Sequence, residues 1–528
     1  MKKLHPLLLS LLFLLPSCSY YFGTAWRIKP DKSRQISAEK TFSNPKPDTG
    51  NYIIKHWANR PLPDWKTKGK VDAPRVMLAK LLTGKDLDSV NQYLTGKTPW
   101  GKNGSDWAFN KHGDYDFSEV PLSAIQQLFG DGPLLKDSAK QTLLRVLLTH
   151  CGNKTSERTP GLRIMRETEN HILMGETSRY LKNQWLHEHG DTTLVRDNDR
   201  NGLNQWWWAC LQQKLDKGFF EFNANPYSSY SVTALLTFHT FCHNAELKRK
   251  CADVLDMLFT RYAYSSLGMR RYPPYRRRME REKVQRFSAD PITSIVKALL
   301  LKDGHTVEPA EEHLHHSLLA YVSDYHLPDS TVALLVGKKP AYFYRWGHGK
   351  ESCPEIYSGS ADYLLSAGGS QRTIISQIVA RPITLFLNDS AIELKQCFHI
   401  TGRGKMKRWN NTGVYEYFAV GTSPVNIPSR YQPVENLNGW SVFQPYPGKK
   451  FYVLVYNKKH LGLMAIFPEG KLTAKEALSY VLDSNKPENL RTMVWLPTVE
   501  GISYNLHAIK TRWVIKTFGE RLIGRWHW

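Results

Sequence analysis

Residues 327–340, LPDSTVALLVGKKP, divide the sequence into two textures. Upstream, apolar residues recur every three or four positions; downstream, they come in short β-branched or aromatic runs between turn residues. The upstream segments APRVMLAKLL, PLSAIQQLF, SAKQTLLRVLLTH, AELKRKCADVLDMLF and DPITSIVKALLL are separated by short breaks containing Gly, Pro or Asp. Over residues 72–330 they amount to roughly ten helices joined as antiparallel hairpins, enough for a toroid of helix pairs or a helical solenoid. Downstream come AYFYRW, ADYLLSA, RTIISQIV, ITLFL, GVYEYFAVG and WSVFQPY, then FYVLVYNKKHLGLMAIF (451–467), which reads as a β-hairpin. Residues 340–528 therefore predict an antiparallel β-sandwich. The expected fold class is multidomain α+β: an N-terminal (α/α) toroid of helix hairpins followed by a C-terminal antiparallel β-sandwich. A chain of 528 residues is long enough for two such domains.

Residues 19–71 are polar and proline-rich and read as an extended lead-in or tether. Ahead of them, MKKLHPLLLSLLFLLPSCSYY sets two lysines before a leucine-rich run of signal-peptide length. Its end, Leu15-Pro16-Ser17-Cys18, resembles a bacterial lipobox, in which Cys18 is lipidated after cleavage. The proline leaves ordinary cleavage or a retained anchor as alternatives. The expectation is an exported protein with residues 1–18 as a lipoprotein-type signal peptide, placed in the cell envelope at the periplasm or outer membrane. Six cysteines follow Cys18, an even number that permits disulfides in an oxidising compartment, and no CxxC occurs.

The net charge of +23 implies attraction to polyanions. For an exported protein this points to an acidic polysaccharide or the anionic cell surface rather than to nucleic acid.

Three stretches carry candidate chemistry. In RETENHILMGETSRYLKNQW (166–185), Glu169, Asn170 and His171 stand together at the head of a helix. Either Asn170 and His171 cap the helix and bridge buried carbonyls, or they face a cleft. In GFFEFNANPYSSYSVTALLTFHTF (218–241), Asn225-Pro226 has the form of an N-cap followed by proline at the first helical position. That helix would place Tyr227 in its first turn and Tyr230 one turn on, near Glu221 and Asn223. In RYAYSSLGMRRYPPYRRRMEREKVQR (261–286), arginines including Arg270, Arg271 and Arg276 interleave with tyrosines including Tyr272. Guanidinium forks bind carboxylates or sulfates, and tyrosine faces stack on sugar rings; a solvated basic loop is the competing reading.

An Asn-His pair on a helix of such a toroid, a tyrosine about fifty-five residues later and a following β-sandwich resemble the polysaccharide lyases. The alginate, chondroitin and heparinase-type enzymes are the nearest comparison. The resemblance implies that Asn170 and His171 meet a uronate carboxylate and that Tyr227, or alternatively Tyr230, moves the proton. Glu169, Glu221, Asn225, Arg270, Arg271, Arg276 and Tyr272 would then line the substrate. Alginate-lyase-like toroids carry an arginine shortly before that tyrosine, where this chain reads EFNANPY; the 270–278 cluster is one alternative source. The implied reaction is β-elimination, in which the neutralised carboxylate stabilises an enolate-like intermediate, and the scheme uses no metal or cofactor. Two rivals stand beside it. One is a glycoside hydrolase using Glu169 and Glu221; the other is a non-catalytic surface protein that binds glycan. HEHGD (187–191) and HLHH (313–316) lack an established metal-ligand spacing, and Asp114 and Asp116 of GDYDF suit a turn or helix start.

Overall fold

The computed structural model describes residues 28–63, 65–96, 115–148, 168–276, 285–348, 354–369, 378–379, 381–402, 411–467, 472–506 and 513–523. The leader with Cys18, Asp114, Cys151, Cys353, and Arg277, Arg278, Arg281 and Lys283 of the basic stretch lie outside them. The protein is mixed α+β, with helices in the N-terminal half and antiparallel sheets in the C-terminal half. The chain divides into two compact units. Unit one comprises Met1–Glu221, Pro226–Met257 and Ser294–Leu327; unit two comprises Phe222–Asn225, Leu258–Thr293 and Pro328–Trp528. Among the described residues, no helix is long and apolar enough to cross a membrane.

In unit one the principal helices are α1 (Tyr52–Ala58), α2 (Trp65–Thr83), α3 (Leu87–Thr95), α4 (Asp116–Phe129), α5 (Asp137–Thr142), α6 (Glu169–Glu188), α7 (Leu203–Lys217) and α8 (Tyr227–Phe241). Unit one also holds α9 (Ala245–Tyr264) as far as Met257, α10 (Pro291–Lys302) from Ser294, and α11 (Leu314–Val322). Helix α6 packs on both α4 and α8, while α11 packs on α1, α2 and α8. Most of α8 is buried, from Ser229 through Phe241, because it is apolar or small on every face. Trp207 of α7 is fully buried and stacks on Phe238 of α8 with ring centroids 4.0 Å apart. From Arg34 to Thr41 the polar lead-in is held against the helices. Thr41 N donates to His243 O (2.8 Å), Ala245 N donates to Glu39 O (2.9 Å), and Arg34 pairs with Glu246 (2.9 Å).

Unit two holds the sheets. Strands β2 (Tyr342–Trp346), β3 (Glu355–Gly359), β4 (Tyr363–Gly368), β6 (Ile383–Leu387) and β7 (Phe398–Ile400) form one antiparallel sheet in that order. A six-stranded sheet follows the order β10-β11-β12-β13-β9-β8, from β10 (Pro433–Leu437), β11 (Trp440–Phe443), β12 (Tyr452–Lys458), β13 (Leu461–Phe467), β9 (Phe418–Gly421) and β8 (Val414–Tyr415). The 451–467 hairpin is present as read, with Tyr452 opposite Phe467 and Lys458 opposite Leu461. Side-chain alternation buries both faces of the five-stranded sheet. Ile356, Leu365 and Leu385 join the core shared with the six-stranded sheet, whereas Tyr357, Leu364 and Phe386 join a separate cluster with Tyr272 and Phe287. The short strands β1 (Tyr275–Arg276) and β5 (Ile378–Val379) pair with each other.

Four described cysteines, Cys210, Cys242, Cys251 and Cys397, are free and buried. Burial pushes the Cys210, Cys242 and Cys397 thiols up to about 12, so they behave as small apolar side chains.

Candidate functional site

Within unit one, the first turns of four helices meet. His171 of α6 is bonded through Nδ1 to Asp116 Oδ2 of α4 at 2.5 Å. The neighbouring Phe117 packs edge-on against both the His171 ring (5.4 Å) and the Tyr230 ring of α8 (4.4 Å). Tyr230 Oη lies 3.3 Å from His315 Nε2 at the start of α11, and Ser229 Oγ lies 2.7 Å from His316 Nε2. Arg75 of α2, 1% exposed, closes the cluster from behind by donating to the carbonyls of His315 (2.5 Å) and Val71 (2.6 Å). The unsatisfied N–H groups at helix starts carry partial positive charge, so this convergence together with Arg75 favours a bound anion.

Burial pushes the Tyr230 phenol up to about 12, opposed by the Arg75 guanidinium. Tyr227, half-buried, stands one turn earlier on α8. His315 and His316 are both held well below the usual imidazole range, chiefly by burial. A histidine whose folded affinity for protons is depressed binds fewer protons than it does when unfolded. Stability from this source is therefore present above the unfolded value of 6.5 and lost as pH falls below it. The expected cost is about 1.4 kcal/mol per pH unit for each histidine. Urea unfolding between pH 7 and pH 5 measures it, and His316→Gln should flatten the slope.

The other two residues of the Glu-Asn-His run serve the helix itself. Glu169, 1% exposed, accepts from the buried Lys214 ammonium of α7 and from Glu221 N (3.0 Å). Its carboxyl is raised by desolvation, with Lys214 acting in the opposite direction. Asn170 is fully buried; its Oδ1 accepts from Thr168 Oγ1 (2.7 Å), and its backbone N donates to Glu221 Oε2 (3.3 Å). Glu221 thus caps α6 from outside the helix, because Thr168 at the N-cap makes no side-chain cap bond of its own. Glu169 and Glu221 are consumed by these contacts and do not form a facing pair of open carboxylates.

Other sequence-derived candidates fall in unit two. Helix α8 starts at Tyr227, one position after Pro226, because Asn225 does not cap it: Asn225 Nδ2 donates instead to Ala289 O. Arg271 is 5% exposed, with its guanidinium divided among Asp290 Oδ2 (3.0 Å), Asn223 Oδ1 (2.6 Å) and Ser265 Oγ (2.6 Å). Arg270 donates to Asp389 (3.1 Å) and to the carbonyls of Leu387 and Ala391. Tyr272 is 2% exposed, with the Arg381 guanidinium 3.8 Å above its ring. Arg276 pairs its backbone with Ile378 in the β1–β5 ladder. These contacts give Arg270, Arg271 and Tyr272 structural roles in place of an open basic groove.

Asp116, His315 and Arg75 complete the cluster without having been assigned to it from sequence. HLHH draws attention as a possible metal run, yet its second and third histidines meet Tyr230 and Ser229. Among the described residues, no three His, Cys, Asp or Glu side chains gather as a metal site. Comparison with protein-family models, curated proteins and solved structures finds no match to this chain.

Proposed function

We propose that the protein is a polysaccharide lyase-like enzyme of the cell envelope. In this reading it is built on an (α/α) toroid and a β-sandwich and cleaves a uronate-containing polysaccharide by β-elimination. The observation that carries this reading is the meeting of His171, oriented by Asp116, and Tyr230, bonded to His315, among four helix starts. Because Nδ1 is given to Asp116, His171 would meet the uronate carboxylate through Nε2. Asn170 contributes by holding the head of the helix. The proton on the carbon beside the carboxylate passes to Tyr230 Oη as the phenol proton passes to His315 Nε2. The electron pair left on that carbon forms the new double bond as the glycosidic C–O bond breaks, and the departing oxygen takes up the proton that passed to His315, which burial disposes to give it up. Arg75 and the helix starts stabilise the negative charge developed on the way, an effect of a few kcal/mol in a water-poor site. The net charge of +23 supports an anionic chain as substrate.

The deciding experiment incubates the purified protein with alginate, hyaluronan, chondroitin and heparin-type chains and follows the ultraviolet absorbance of the unsaturated uronate. Absorbance should rise with one polymer and be absent in His171→Ala and Tyr230→Phe. Loss in Tyr227→Phe with retention in Tyr230→Phe would transfer the proton step to Tyr227. New reducing ends without absorbance would establish hydrolysis, and binding without either product would leave a glycan-binding protein.

A further inference from the structure

At the far end of the α6–α7 hairpin from Lys214 and Glu169, residues 197–202 read Asp-Asn-Asp-Arg-Asn-Gly. This is the D-x-D-x-N-G spacing that opens an EF-hand calcium loop, where oxygens at the first, third and fifth positions surround the ion and glycine makes the turn at the sixth. Gly202 sits in the left-handed region that position requires, at φ 84°, immediately before α7. Asp197 Oδ1 accepts from the backbone N of Asp199 and of Arg200, each at 3.1 Å, which folds the loop back on its first carboxylate.

A second observation lies beneath the loop. Asn204 is 3% exposed and its amide is aimed at the loop, with Nδ2 on Asp199 Oδ1. Its Oδ1 is buried and has no hydrogen-bond partner among the described residues. A buried carbonyl oxygen with no partner costs free energy; turning the amide over would bring Oδ1 to face Asp199 Oδ1, where a shared cation would satisfy both oxygens. Asp199, Asn201 and Gly202 also line a cleft of about 510 Å³, and the nearby Gln205 Oε1 is likewise buried without a partner. Arg179 is paired with Glu176 and Arg196 contacts Asp191, while Arg200 of the loop itself and Lys32 also line the cleft.

We propose that this loop binds a calcium ion through side-chain oxygens of Asp197, Asp199, Asn201 and Asn204. The site departs from a full EF-hand in two respects. The twelfth position is Trp208 where a bidentate glutamate would stand, and the seventh, Leu203, whose carbonyl would be the main-chain ligand, already opens α7. Water fills the remaining coordination positions, which places the affinity at the weak end of such loops, about 10⁻⁴–10⁻³ M.

The three consecutive tryptophans Trp206, Trp207 and Trp208 make terbium the probe of choice for the full-length protein. Excited through tryptophan, bound Tb³⁺ should luminesce, and calcium should displace it in the sub-millimolar to millimolar range while magnesium displaces it at least tenfold less well. Asp199→Asn, a near-isosteric change, and Asn201→Ala should each lower the luminescence at least tenfold. In chelator Asp199→Asn should match the wild-type thermal midpoint, whereas Asn201→Ala, which loses the bonds to Val195 O and from Leu203 N, should be lower and is compared with its own chelator midpoint. Calcium at about 5 mM should raise that midpoint in the wild type and in neither variant. Luminescence absent from the wild type, unchanged in both variants, or displaced equally by magnesium overturns the assignment.

Discussion

Replacing Lys214 by methionine is expected to destabilise unit one by about 3–5 kcal/mol, the usual cost of stranding a buried charge. Lys214 is 2% exposed and its ammonium meets Glu169, which is 1% exposed. Methionine fills similar volume, so little of the loss comes from a cavity. The loss should depend on pH in a defined direction. Without the ammonium, desolvation acts on Glu169 unopposed by its main cation and lifts its proton affinity further above the unfolded value of 4.5. The folded variant then holds a proton that the unfolded chain releases, so its stability falls as pH rises from about 4.5 upward. Chemical unfolding at pH 5 and pH 7.5 should show the smaller deficit at the lower pH. A companion Glu169→Gln/Lys214→Met double variant should recover part of the loss. A deficit under 1 kcal/mol at pH 7.5 would mean that the pair is solvated and that Glu221 alone secures the head of α6.

Asp116→Asn is expected to lower turnover on the uronate polymer by about 10²–10⁴-fold, with a much smaller effect on the amount of folded protein. Asparagine preserves size and one acceptor, but its amide also presents a donor, so it no longer fixes which nitrogen of His171 carries the proton. The negative charge facing Nδ1 is lost as well. If His171 meets the substrate carboxylate through Nε2, both changes weaken that contact where charge develops. The measurement is the rate of double-bond formation under saturating polymer, beside the thermal midpoint. Activity within threefold of wild type would show that Asp116 merely fills the first turn of α4, and would remove His171 from the proposed step.

The division into helices and strands was legible because apolar spacing changes at one place in the chain. The 451–467 hairpin was legible for the same reason: two β-branched and aromatic runs flank Lys-Lys-His. The start of α8 was misread by one position. The Asn-Pro signal is local, and the bond from Asn225 to Ala289 is supplied by a residue 64 positions away. The same limit explains the arginines. Arg270 and Arg271 look like free cations among tyrosines, but their carboxylate partners Asp389 and Asp290 lie 119 and 19 residues further on, outside the stretch itself. In the candidate site, His171 and Tyr230 were visible as chemistry at helix heads. Asp116 is separated from His171 by 55 residues and His315 from Tyr230 by 85, so their pairing emerges only when the helices pack.

The four described thiols, all buried, give each unit its own clock. Alkylation requires both exposure and the thiolate, so Cys210, Cys242 and Cys251 in unit one and Cys397 in unit two are silent until their surroundings open. Pulse labelling in mild denaturant, read peptide by peptide by mass spectrometry, would time the opening of the helical unit separately from that of the sheet-bearing unit, with no engineered probe.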